Sequence, residues 1–264
     1  MTLVVERIEL REVRLPLREP FRISSGVESE RRILLVRLVE ARGASAWAEC
    51  VAGAAPNYSP ETIDVAWMML QDWLAPRLLG VEWREAAEVA GLLGRNLRGH
   101  HMARAALEMG CWGLQAEVAG LSLAALLGGE RREVETGISL GIQAAPAALV
   151  ERALAAREAG YRKVKLKIEP GADLAFVRAV REALGAEAPL AVDANSAYTP
   201  EDLAVLEALD ELGLLMIEQP LDWTDLVRHA ELQRRLATPI CLDESITGLD
   251  RAEDMLTLGA GRVV

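Results

Sequence analysis

The sequence predicts an α/β protein, a (β/α) TIM-type barrel preceded by an α+β unit. Three observations carry this. Residues 1–129 read as strands followed by helices, whereas residues 130–264 read as short apolar strands alternating with amphipathic helices. In the second stretch the later strands end in carboxylates, at Asp193, Glu218 and Asp243, each 25 residues after the last.

In the first stretch, Glu6–Pro16 and Arg32–Glu40 alternate apolar and polar side chains as antiparallel strands do, and Ala46–Cys50 adds a short third. Phe21–Glu30 (FRISSGVESE) is expected to be a polar loop, and Val51–Pro60 a second one. Helices are expected over Pro60–Leu79, Trp83–Leu97 and His101–Ala119. Trp67, Trp73, Trp83 and Trp112 lie at helical positions and read as core and interface residues. His100 and His101 precede a helix, which suits a surface or helix-start role better than a metal site.

After Glu130 the expected strands are Val134–Ile142, Lys163–Ile168, Leu190–Asn195, Leu214–Gln219 and Ile240–Glu244, with Arg262–Val264 opening a sixth. Strand–helix alternation implies parallel strands joined by right-handed crossovers. No G-x-G-x-x-G follows the first of these strands, so a barrel is favoured over a dinucleotide-binding sheet.

With 51% hydrophobic and 26% charged residues the chain can bury a sizeable core. Its net charge of -11 argues against nucleic acid as a partner. No apolar run has transmembrane length, and the first residues (MTLVVERIEL) do not read as a signal peptide, so no membrane role is expected. Cys50, Cys111 and Cys241 are odd in number and far apart, which fits reduced thiols in a cytoplasmic protein.

All three lysines, Lys163, Lys165 and Lys167, fall within five residues, and the other 26 of the 29 Lys and Arg side chains are arginine. Arginine cannot release its proton in a protein, whereas a lysine can be tuned to act as a base. Residues i, i+2 and i+4 of a strand share a face, so the three ammonium groups crowd together, and like-charge crowding is expected to lower the pKa of at least one. An isolated K-x-K is most often a solvated edge strand, and a lone acid after a strand is most often a helix N-cap. Three acids at one period, one β/α unit beyond the lysines, point instead to a site at the C-terminal face of a barrel. Acids converging there need a cation. Oxygen-only ligation from Asp193, Glu218 and Asp243 suits Mg²⁺ or Mn²⁺. In the implied chemistry the metal binds a small-molecule carboxylate substrate, a lysine removes the adjacent carbon proton, and the cation stabilises the enediolate. No organic cofactor is implied.

The segments KVKLKI, VDAN, IEQPL and CLDES, in this order and spacing, resemble the enolase superfamily in its muconate-lactonizing-enzyme branch. Gly137–Gln143 (GISLGIQ), with Glu49–Ala52 and Asn57–Ser59, is similar to o-succinylbenzoate synthases and N-acylamino acid (N-succinylamino acid) racemases. The resemblance implies an α+β capping domain over 1–129 and a modified (β/α)7β barrel over 130–264, here strands one to five and the start of six. It makes Asp193, Glu218 and Asp243 the metal ligands, Lys167 the proton-abstracting lysine and Lys165 its charge-tuning partner. Ser139 and Asn195 would bind substrate, with Glu244 supporting them from behind. Lys163 gains no role. The loops Phe21–Gly26 and Ala54–Tyr58 would close over the substrate.

The family reaction would be dehydration of a succinyl-hydroxycyclohexadiene carboxylate to o-succinylbenzoate, a step toward menaquinone, together with racemisation of N-acylamino acids. Dipeptide epimerase and muconate cycloisomerase remain alternatives on the same fold, and a non-catalytic metal-binding module is an alternative of another class. Family barrels are often dimers or octamers, implying a homo-oligomer. Members also carry a second lysine on strand six, which the 25-residue period would place near position 268. The 264 residues are therefore expected to be part of a longer polypeptide.

Overall fold

The computed structural model describes residues 2–264, which divide into two compact units. The first comprises the chain up to Arg18 and Glu30–Glu133, the second Glu19–Ser29 and Val134–Val264.

In the first unit a sheet runs in the order β3-β2-β1-β4, formed by β1 (Leu3–Ile23), β2 (Gly26–Glu40), β3 (Ser45–Cys50) and β4 (Glu82–Trp83). Leu34, Val36 and Leu38 of β2 are fully buried, and the alternate residues between them are less so, as the sequence pattern predicts. The expected loop over Phe21–Glu30 is instead strand, broken only by the turn at Ser24–Ser25. None of these ten residues is buried, so no apolar alternation marked the stretch.

The expected helix over Pro60–Leu79 is three segments: α1 (Ile63–Met68), a π-helical turn (Met69–Leu74) and α2 (Ala75–Leu78). Pro76 lies at the start of α2 and has no N–H to give, and a wider turn before it removes the need for that bond. Trp83, expected at a helix start, is a buried strand residue of β4 and is followed by α3 (Ala87–Gly94). Trp67 and Trp112 pack against the core, but Trp73 is 56% exposed and does not.

Helix α4 occupies His101–Ala119, the span expected for it. It lies close on β2, because an added Cβ at Gly110 would collide with Leu38. His100 precedes α4 in a left-handed conformation and offers no side-chain cap. The exposed amides are taken by Glu61, which accepts from Met102 N (3.1 Å) and Ala103 N (3.3 Å). A short α5 (Leu123–Leu126) follows.

The second unit is a five-stranded parallel sheet in sequential order: β5 (Gly137–Leu140), β6 (Lys163–Lys167), β7 (Leu190–Asp193), β8 (Ile217–Glu218) and β9 (Ile240–Cys241). The crossovers are α6 (Pro146–Glu158), α7 (Leu174–Leu184), α8 (Leu203–Asp210) and α9 (Leu226–Gln233), and α10 (Leu249–Leu258) follows β9. Val164, Leu166, Val192, Ile217 and Ile240 are wholly buried in one cluster with Leu149, Val177, Val180 and Leu206 of the helices. The buried Arg181 of α7 donates to five carbonyls, those of Gly185, Ala186, Ala188, Leu212 and Gly213, at 2.7–3.1 Å, and so ties the chain ahead of β7 to that ahead of β8.

All five strands end earlier than expected, and β5 and β8 also start three residues later than Val134 and Leu214. Asn195, Ser196 and Gln219 have φ of 44°, 64° and 36°, a left-handed conformation that ends the pleat. Beyond β9, Val263 makes a single parallel bridge to Cys241 where a sixth strand was expected. Among the described residues no helix is long and apolar enough to cross a membrane.

Candidate active site

In β6 the fully buried Val164 and Leu166 face the helices, which turns Lys163, Lys165 and Lys167 to the opposite face. The parallel register sets Ser139 beside Lys165, Lys167 beside Asp193, and Asp193 beside Glu218. Strand pleating alone therefore gathers Lys165, Lys167, Asp193 and Glu218 at one end of the sheet.

Lys165 Nζ donates to both oxygens of Glu218, at 2.7 and 2.8 Å, and lies 3.1 Å from Asp193 Oδ2. Lys167 Nζ donates to Asp193 Oδ2 (2.6 Å) and to Asn195 Oδ1 (2.8 Å). Asn195 Nδ2 in turn donates to Glu244 Oε1 at 2.9 Å. A continuous chain thus runs from Lys167 through Asn195 to Glu244, whose second oxygen, Oε2, is buried without a hydrogen-bond partner.

Burial alone would pull the Lys165 ammonium down, but Glu218 and Asp193 outweigh it and hold the group above the usual lysine range. The lowering expected from like-charge crowding is therefore reversed at Lys165, because its close neighbours are carboxylates. The two carboxylates respond unequally. Asp193 loses solvation on burial, yet the Lys167 ammonium holds it below the usual range. Glu218 is pushed up, first by burial and then by the charge of Asp193. Burial also raises Glu244.

The remaining expected residues are placed differently. Ser139 is exposed on β5 beside Lys165. Asp243 follows β9 and its side chain is exposed, although its backbone N–H is held at 3.0 Å by Gln219 Oε1. Among the described residues no three acidic, imidazole or thiol side chains form a group that could hold a metal. Asp193 and Glu218 meet the two lysines, and Asp243 is the solvent-exposed member of the expected three. The donor set itself fits a hard divalent cation. It is oxygen-only, and its members are 1% and 5% exposed.

Several further residues lie at this end of the sheet, two of them, Arg22 and Ser24, within the Phe21–Gly26 segment that the resemblance sets over the substrate. Ser24 Oγ, in the turn between β1 and β2, donates to Ala194 O at 2.8 Å. Arg22 O accepts from Ile142 N at 2.9 Å, and the Arg22 guanidinium pairs with Glu169 at 2.6 Å. His229 of α9 is wholly buried and its Nε2 accepts from Leu221 N at 3.2 Å, in the loop leaving β8. Ser24 and His229 had no spacing signal. Gln219 lies inside the IEQPL segment, which by itself gives it no role.

Comparison with known proteins is consistent across the chain. The mandelate racemase / muconate lactonizing enzyme N-terminal domain matches residues 6–128, and the enolase C-terminal domain-like family matches 148–264. An o-succinylbenzoate synthase of Geobacillus kaustophilus is 44% identical over 267 residues, covering 100% of this chain and 70% of that protein. An N-succinylamino acid racemase of Amycolatopsis is 46% identical over 257 residues, covering 97% and 69%. Among solved structures, an enolase-superfamily member from Listeria innocua superposes with a TM-score of 0.94 at 34% identity, over 98% of this chain and 70% of that one. A dipeptide epimerase of Enterococcus faecalis, solved with Mg and the dipeptide L-Leu-L-Tyr, gives 0.89 at 26% identity, over 99% and 73%. Matching family domains over both units, and relatives above 40% identity along nearly the whole chain, place the protein in the enolase superfamily, in its mandelate racemase / muconate lactonizing branch.

Proposed function

We propose that the protein is a divalent-metal-dependent lyase. It dehydrates a succinyl-hydroxycyclohexadiene carboxylate to o-succinylbenzoate, with racemisation of N-acylamino acids as a second activity of the same site. The observation that supports this most is the pair Lys165–Lys167, set against the buried carboxylates Asp193 and Glu218 in a chain whose relatives carry those two names.

Asp193, Glu218 and Asp243 would hold Mg²⁺ or Mn²⁺. The bound cation would lower the cost of placing negative charge on the substrate carboxylate. Lys167 is the base. Its Nζ, deprotonated, takes the proton alpha to the carboxylate, and the C–H electron pair moves into the carboxylate. As that charge returns, the neighbouring C–O bond breaks, hydroxide leaves and the ring becomes aromatic. Asn195 keeps Lys167 in place when Asp193 serves as a ligand, and Glu244 fixes the Asn195 amide. Lys165 balances the charge of Glu218. In racemisation the carbanion of an N-acylamino acid, formed in the same way, would regain a proton on its opposite face from the second lysine that the resemblance puts on strand six. Asp193, Glu218, Asp243, Lys165, Lys167, Ser139, Asn195 and Glu244 hold these roles as proposals.

Purified protein with Mg²⁺ is expected to form o-succinylbenzoate and to racemise N-succinylamino acids. Lys167→Ala should lower both rates by about 10³-fold or more. Retention of either rate within tenfold would remove Lys167 as the base. Epimerisation of dipeptides with neither of the two activities would move the assignment to that alternative.

A further inference from the structure

Gln219 follows the proposed ligand Glu218 and is wholly buried. Its backbone is left-handed, with φ of 36°, a conformation that costs a non-glycine residue about 1 kcal/mol or more. Such strain persists only where the surroundings over-determine it, and here every polar atom of the residue is used. The side-chain Oε1 accepts from Asp243 N (3.0 Å) and Ser245 N (3.2 Å). The Nε2 group donates to Ser245 Oγ (2.8 Å) and more weakly to Leu221 O (3.4 Å). The backbone N–H donates to Cys241 O, and the carbonyl accepts from Ser196 N, both at 2.8 Å. Ser245 Oγ passes its own hydrogen to Trp223 O at 2.8 Å.

One side chain thus spans from the residue after Glu218 to the amides of Asp243 and Ser245, while its main chain reaches the segment after Asp193. Only a neutral amide has the acceptor and the donors this arrangement uses; a carboxylate lacks the donors and an apolar side chain lacks both. We propose that Gln219 is a positioning residue that sets the separation of Glu218 and Asp243. By pinning the Asp243 backbone, it fixes the point from which that carboxylate would reach a divalent cation. The inference rests on the metal reading above.

Mn²⁺ titration followed by electron paramagnetic resonance tests it without reference to turnover. Gln219→Met should raise the Mn²⁺ dissociation constant about tenfold or more, the usual effect of removing a group that orients a ligand. Ser245→Ala, which deletes only one hydroxyl, should raise it severalfold and covers the case in which Gln219→Met does not fold. Glu61→Ala, in the other unit, should lower thermal stability and leave Mn²⁺ binding unchanged. If the folded site variants bind Mn²⁺ within twofold of the parent, the positioning role is overturned and the metal reading stands. If the parent itself binds no Mn²⁺ at millimolar concentration, both fall together.

Discussion

Lys165 donates to Glu218, while Lys167, two residues further along the same face of β6, donates to Asp193 and Asn195. Their residue type and spacing were legible in the sequence because a strand repeats every two residues. Their partners were not, since 26 to 53 residues separate the bonded groups. His229 gave no sequence signal, although its role is specific. Its Nδ1 lies 2.6 Å from Asp225 O and must donate, so Nε2 is the acceptor for Leu221 N and the ring is neutral. Burial lowers its pKa below the ordinary 6.5, against the opposing pull of the Asp225 and Asp222 carboxylates. The unfolded chain therefore takes up a proton that the folded one resists. Stability should be complete above pH 6.5 and decline as the pH falls toward the folded pKa, by at most about 1.4 kcal/mol per pH unit. Urea denaturation at stepped pH should show this slope in the parent and lose it in His229→Gln; an equal slope in both would exclude His229 as its source.

Among the elements, α4 matched its expected bounds because its apolar period is helical over five turns and its flanks are breakers. The β1–β2 turn region and the π-helical turn did not show. The first has no buried face to impose a pattern, and the second depends on a single proline in an otherwise helical run. The two histidines stand at the start of α4 as expected, but neither side chain caps it, and the cap is a carboxylate 41 residues earlier. Glu61→Ala leaves the amides of Met102 and Ala103 without that acceptor. It should cost about 1–2 kcal/mol in urea denaturation, with Glu61→Gln losing less. No change in Glu61→Ala would mean that solvent replaces the cap in full.

For the molecule as a whole, the buried side chains form two clusters that share no member, one in each unit. Leu107→Ala and Leu166→Ala remove fully buried side chains from the first and second cluster and should each cost about 2–5 kcal/mol. Hydrogen exchange should rise mainly within Glu30–Glu133 for the former and within Val134–Val264 for the latter. An equal rise across both units in either variant would show a single cooperative core. The amino-acid sequence by itself determined the fold class, the order of strands and helices, and the strand ends on which Lys165, Lys167, Asp193 and Glu218 lie. Those features repeat with the period of a strand or of a β/α unit, and periodicity is visible along a chain. Only the tertiary structure decided the bonds of Gln219, Ser24, His229 and Glu61. Each of these residues bonds to atoms distant in sequence, and a single long-range hydrogen bond leaves no repeating trace to read.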